Sequence, residues 1–126
     1  MEILGIGIDL VEIRRMESIL ASQETRFVER VFTPLERDYC EGKRHRAQYY
    51  AARFAAKEAL MKALGTGWTS GVTWTEIEVQ RDSLGKPGFQ LYGATKETAE
   101  AKGAKQIFLS LSHTDCCAVA QVILCR

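Results

Sequence analysis

Apolar residues alternate from the start of the chain. In "ILGIGIDL", Leu4, Ile6, Ile8 and Leu10 hold the even positions, while Ile3, Gly5, Gly7 and Asp9 hold the odd ones. That alternation predicts a buried strand over 3–9, with one apolar face and one glycine face. Glycines in a strand let another group approach the backbone closely. The period then turns helical. Ile13, Met16 and Leu20 fall inward and Arg14, Arg15 and Ser18 outward, which predicts a helix over 10–22. Within 26–32, Phe27 and Val31, then Val28 and Phe32, repeat at i,i+4 and predict a second, short helix.

"TPLE" at 33–36 reads as a helix start. Thr33 can cap, Pro34 suits the first helical position and Glu36 completes a capping box. That helix ends near Gly42. A long helix follows from about His45 to Leu64, closed by Gly65. "GTGWTSG" is a glycine-rich loop over 65–71. Strands are predicted at 73–81 and 89–93 around the turn "DSLGKPG". A helix over 94–102 ends at Gly103, and strands at 106–112 and 116–124 form a hairpin across His113, Thr114 and Asp115. Helices gather early and strands pair late. The class is therefore α+β, with a largely antiparallel sheet.

Composition narrows the picture. The 126 residues suit one domain spanning 1–126. Apolar residues at 46% and charged residues at 26% are ordinary for a globular chain. A net charge of +1 carries no nucleic-acid footprint, although "KRHR" at 43–46 and Arg14, Arg15, Arg26 and Arg30 concentrate cations in the first half. No apolar run approaches the roughly 20 residues of a membrane span. Cys40, Cys116, Cys117 and Cys125 form no C-x-x-C pair, and no leader-like segment opens the chain. The expectation is a reduced cytoplasmic protein with buried thiols.

Two carboxylates stand out against these patterns. Asp9 ends an apolar run. It does not complete a dinucleotide fingerprint, because G-x-G-x-x-G requires a glycine where Leu10 stands. With Glu12 it reads as a capping box for a helix opening at residue 10, which leaves the glycines on its face unexplained. Glu58 is the second. Wound at about 100° per residue, the long helix has a buried stripe of Ala47, Tyr50, Phe54 and Met61, and Glu58 falls inside that arc. Lys57 and Lys62 border it. An i,i+4 ion pair from Glu58 to Lys62 is one reading and leaves Lys57 unexplained. The other is a hard-metal site, with Asp9 and Glu58 as carboxylate ligands and both lysines facing phosphate oxygens.

"GIGIDLVEI", "RFAAKEALMKALGTG", "GKP" and "LSHTDCCAVA" occur here in order along almost the whole chain. In this the sequence resembles the holo-acyl-carrier-protein synthases, the small bacterial class of 4′-phosphopantetheinyl transferases. The resemblance implies a Mg²⁺-dependent reaction. A serine hydroxyl of an apo-acyl carrier protein attacks the diphosphate of coenzyme A, phosphopantetheine moves to the serine, and adenosine 3′,5′-bisphosphate leaves. It implies Asp9 and Glu58 as metal ligands, Lys57 and Lys62 near the diphosphate, and Gly65 and Thr66 against the nucleotide. Arg53 and His113 match positions linked with coenzyme A binding. Arg15, Arg26 and Arg30 match positions that dock the acidic carrier protein. A homotrimer with sites between protomers is implied as well. In this scheme Glu58 is the leading proton acceptor, and the two glycines make room beside Asp9 for the diphosphate. Without the resemblance, His113 reads as a solvated turn residue. Two functions of other classes compete: a non-catalytic carrier-protein or nucleotide binder, and a Mg²⁺-dependent nucleotide diphosphate hydrolase. Several relatives have an aromatic residue where Cys117 stands; the wider superfamily often has Trp where Phe54 stands, and the small bacterial class commonly has Phe there.

Overall fold

Helix α3 (Arg46–Leu64) is buried on nearly every side. In this computed structural model, which describes residues 1–67 and 72–126 and leaves out the side chains of Gln23 and Glu24, the other elements wrap it. They are β1 (Ile3–Glu12), α1 (Ile13–Val31), α2 (Pro34–Glu41), a 3₁₀ turn (Trp74–Glu76), β2 (Ile77–Arg81), β3 (Pro87–Leu91), α4 (Gly93–Ala101), β4 (Gln106–His113) and β5 (Cys117–Cys125). β5 lies between β1 and β4 in one antiparallel sheet, and β2 pairs with β3 in a second. The α+β class with antiparallel sheets is as the pattern predicts. Of the glycine-rich loop expected at 65–71, residues 68–71 lie outside the described residues.

Local signals located most elements. Thr33 and Glu36 form the reciprocal capping box at the start of α2, and Gly42 ends it. Gly65 closes α3 in the left-handed region, with φ 75°. The C-terminal hairpin forms where expected. Cys40 and Cys125 are buried, whereas Cys116 is exposed and Cys117 half-buried, so only two thiols meet the expectation of burial.

The first thirty residues differ from their pattern. The strand does not stop at Asp9. Leu10, Val11 and Glu12 pair with Val119, Ala118 and Cys117, and this long-range ladder outweighs the local helical signal. Asp9 sits in mid-strand opposite Ala120 and caps no helix; Glu12 is the N-cap residue of α1 and makes no side-chain cap. The two short helices expected at 10–22 and 26–32 are one helix. Ile13, Met16 and Leu20 in its first part and Val28 and Val31 in its last turns are all buried. Between 73 and 81 the strand starts late, because Trp74–Glu76 turn into a 3₁₀ helix. There the Glu76 carboxylate accepts from the N–H groups of Ala94 and Thr95 at the start of α4.

The strand expected to be buried is so on one face only. The glycine face is the buried one. A Cβ on Gly5 would lie 2.0 Å from the Ala63 carbonyl oxygen, and one on Gly7 would lie 1.8 Å from that of Ala59. The glycines thus admit the backbone of α3, and the room expected there for a diphosphate is filled by helix. The apolar even face looks outward: Ile6 and Ile8 are each 57% exposed and Leu10 is 65% exposed.

Candidate active site

The contact between β1 and α3 brings Asp9 and Glu58 to the mouth of one cavity of about 360 Å³. Asp9 projects from the glycine face of β1, two residues beyond Gly7. Glu58 lies one residue from Ala59, whose carbonyl meets that glycine. Close packing of strand and helix therefore sets the spacing of the two carboxylates. Arg15 joins them at the rim, and Leu10, Met16, Ile19, Phe27 and Phe54 supply an apolar wall. Glu58 is half-buried. Burial, and next the charge of Asp9, hold its carboxyl above the usual range, while Lys62 and Arg15 pull the other way.

Lys62 stands one turn further along α3. Its ammonium donates to Asp9 Oδ1 at 3.1 Å and to the Ile8 carbonyl oxygen at 3.0 Å. The i,i+4 pair with Glu58 is not formed among the described residues; the lysine crosses to the strand. Gly65 and Thr66 follow at the C-terminal end of α3, where the Thr66 N–H donates to the Met61 carbonyl at 3.2 Å.

Lys57 does not join this group, which corrects its placement beside a diphosphate. Its side chain is fully buried. It donates to Val31 O at 2.5 Å, to Glu36 Oε1 at 2.6 Å and to Trp74 O at 3.1 Å. These three acceptors match the three protons of an ammonium. Desolvation pushes the ammonium below its ordinary value, and Glu36 opposes that.

A second cavity, of about 390 Å³, gathers Arg53 and His113 with Tyr39, Gln48, Tyr49 and Arg81. Arg53 is only 2% exposed, and its guanidinium lies 4.0 Å from the centre of the Tyr39 ring. Its Nε and Nη1 are buried without a hydrogen-bond partner among the described residues. A buried cation with open donors fits an anion. His113 Nε2 accepts from the Gln48 amide nitrogen at 2.9 Å. Lys43 and Arg81 also lie over the Tyr39 ring, at 4.6 and 5.6 Å. Tyr39, Tyr49 and Arg81 carry no motif that marks them in the sequence; Lys43 showed only as part of "KRHR". The two cavities share no lining residue. Arg26 and Arg30 are exposed on α1.

The donor set suits a hard divalent cation. Asp9 and Glu58 line one cavity, and burial first, then the charge of Asp9, disfavours the Glu58 anion. Among the described residues no group of three or more His, Cys, Asp or Glu could hold a metal. Two protein oxygens with substrate and water completing the shell is the pattern Mg²⁺ takes, and not that of a closed zinc or calcium cage.

Residues 5–119 match the model of the 4'-phosphopantetheinyl transferase superfamily. The chain belongs to that superfamily. A holo-[acyl-carrier-protein] synthase of Geobacter sp. (strain M21) is 49% identical over 124 residues, covering 98% of this chain and 99% of the relative. The fold of this transferase matches a crystal structure of the holo-[acyl-carrier-protein] synthase from Neisseria meningitidis with a TM-score of 0.92 and 34% identity, over 99% of this chain and 100% of the other. The Bacillus anthracis synthase, in complex with CoA (3',5'-ADP), matches with a TM-score of 0.81 and 39% identity, over 97% and 96% of the two chains. The transferase is thus an enzyme of the holo-acyl-carrier-protein synthase kind. Among its described residues, no helix is long and apolar enough to cross a membrane.

Proposed function

We propose that this chain transfers the 4′-phosphopantetheine group of coenzyme A to a serine of an apo-acyl carrier protein, releasing adenosine 3′,5′-bisphosphate. The observation that carries the reading is the pairing of Asp9 and Glu58 at one cavity, with the Lys62 ammonium bonded to Asp9. Asp9 and Glu58 would hold Mg²⁺, which when bound offsets charge on the diphosphate and its leaving group. Phosphoryl transfer relies on positioning and charge stabilisation, and the residues here supply both. Lys62 offers a mobile point charge for diphosphate oxygens. Glu58, which lines the cavity, accepts the proton of the serine hydroxyl. The open donors of Arg53, with His113, take a phosphate of the nucleotide end. Gly65 and Thr66 border the nucleotide next to Lys62. Arg15, Arg26 and Arg30 steer the acidic carrier toward the cavity. The carrier of fatty-acid synthesis is the default acceptor.

The whole chain, 1–126, works as one domain within a cytoplasmic homotrimer. Two features support the trimer: the carboxylate cavity and the Arg53 cavity share no lining residue, and the outward face of β1 leaves Ile6, Ile8 and Leu10 exposed. An apolar sheet face of this kind is a surface for another protomer. Placing active sites between protomers lets one copy's carboxylates meet another copy's Arg53.

Asp9→Asn and Glu58→Gln test the reading. Each should lower turnover at least about 100-fold, a loss of about 2.7 kcal/mol of transition-state stabilisation, without loss of the folded state. Turnover that merely follows the folded fraction would refute the assignment. Release of adenosine bisphosphate without any carrier would point to hydrolysis instead.

A further inference from the structure

The Lys57 ammonium closes a ring of contacts around the apolar wall of the carboxylate cavity. It bonds to the carbonyl of Trp74 at 3.1 Å. The Trp74 ring stacks on Phe54, with centroids 5.1 Å apart and planes 18° apart. Phe54 meets Phe27 at 5.7 Å, and Phe27 meets Phe32 edge-on at 5.9 Å. The ring closes where Lys57 Nζ lies 5.3 Å from the Phe32 centroid and bonds to Val31 O at 2.5 Å. Phe27 and Phe54 line the cavity that Asp9 and Glu58 share. Glu36 anchors the ammonium from α2 and spends its other oxygen on the Val79 N–H, at 2.8 Å. One buried cation thus joins α1, α2, β2 and the 3₁₀ turn to α3, one residue before Glu58.

We propose that Lys57, paired with Glu36, is a positioning residue that holds the C-terminal end of α1 and the Trp74 turn against α3, and so sets the carrier-facing wall of the cavity. It touches neither coenzyme A nor the reacting atoms. The role in the reaction rests on the function proposed above; the tether itself does not.

Three variants separate this role from the alternatives: Lys57→Met, Glu36→Gln and the double variant. Each single change leaves a buried charge or carboxylate without its partner and lowers the melting temperature. The double change removes both charges and recovers much of that stability. It still lacks the bonds to Val31 O and Trp74 O. The expected result is a double variant that melts above either single variant, yet has KM for apo-carrier raised about ten- to a hundredfold, with KM for coenzyme A within about twofold. Full recovery of carrier KM along with stability would make the pair purely structural. A rise in KM for coenzyme A with unchanged carrier KM would return Lys57 to the diphosphate. Amide hydrogen exchange tests the tether without turnover. Exchange in 27–32 and 74–76 should quicken in the double variant. Unchanged protection there overturns the proposal whether or not the wild type loads a carrier.

Discussion

Gly7→Ala is the most exacting test of how the two carboxylates are brought together. The added Cβ would sit 1.8 Å from the Ala59 carbonyl oxygen, 2.8 Å from its carbon and 2.9 Å from the Ala63 nitrogen. All three atoms are helix backbone, so no rotamer change relieves the clash. Strand β1 and helix α3 must part by about 1 Å to bring the contact to 3.0 Å. Overpacking costs typically about 1–3 kcal/mol, and a rigid backbone obstacle puts this case at the top of that range or above it. For a domain of this size the melting temperature should fall by about 10–15 °C. The same displacement draws Asp9 away from Glu58, so turnover per folded molecule should fall too. Gly88→Ala is the control, because nothing lies within 4 Å of its Cβ position. It should stay within about 0.5 kcal/mol of the wild type. The assay is denaturant unfolding of both variants, with initial rates measured on the folded fraction. A Gly7→Ala protein as stable and as active as the control would refute the reasoning that these glycines exist for the close approach of α3.

Two further outcomes follow from the structure. Glu58 holds its proton more tightly in the folded chain than in the unfolded one, so its contribution to stability is full below the unfolded value and is lost as pH rises through the folded value. Without metal, Glu58→Gln should therefore melt above the wild type at pH 7 and lose that advantage below about pH 4; a variant that melts lower at pH 7 contradicts the stated cause. Ile8→Asp places a charge on a strand face that is 57% exposed in the single chain. It should leave the fold intact and shift sedimentation from trimer to monomer, and an unchanged sedimentation coefficient would remove this face from the interface.

What could be read from the residues alone depended on the range of the forces involved. The capping box of Thr33 and Glu36 and the αL closure at Gly65 arise within one helical turn, and both stand where the pattern put them. The end of β1 does not arise locally. Val11 and Glu12 belong to a helical pattern until β5, more than a hundred residues away, offers them a ladder. Asp9 is consequently a strand residue facing a helix, where the sequence offered a cap. Lys57 misled for a different reason. A single buried stripe assumes a helix with one wet side, and α3 has almost none. A lysine at the border of such a stripe reads as solvated or ligand-facing, yet here it meets a carboxylate and two carbonyls in the interior. Lys62 is exposed and Glu58 half-buried, so these two reach the surface of α3 where Lys57 does not. The Arg53 cavity depends on residues from α2, α3, β2 and β4, and no spacing in the chain joins them.

Mass spectrometry tests group transfer to a carrier most directly. The purified protein, coenzyme A, Mg²⁺ and an apo-acyl carrier protein are incubated together, and the carrier is weighed intact and then mapped. The carrier should become heavier by one phosphopantetheine on a single serine, with adenosine 3′,5′-bisphosphate formed in equal amount and neither product formed by Asp9→Asn. Several apo-carriers left at their original mass by folded wild-type protein would contradict group transfer.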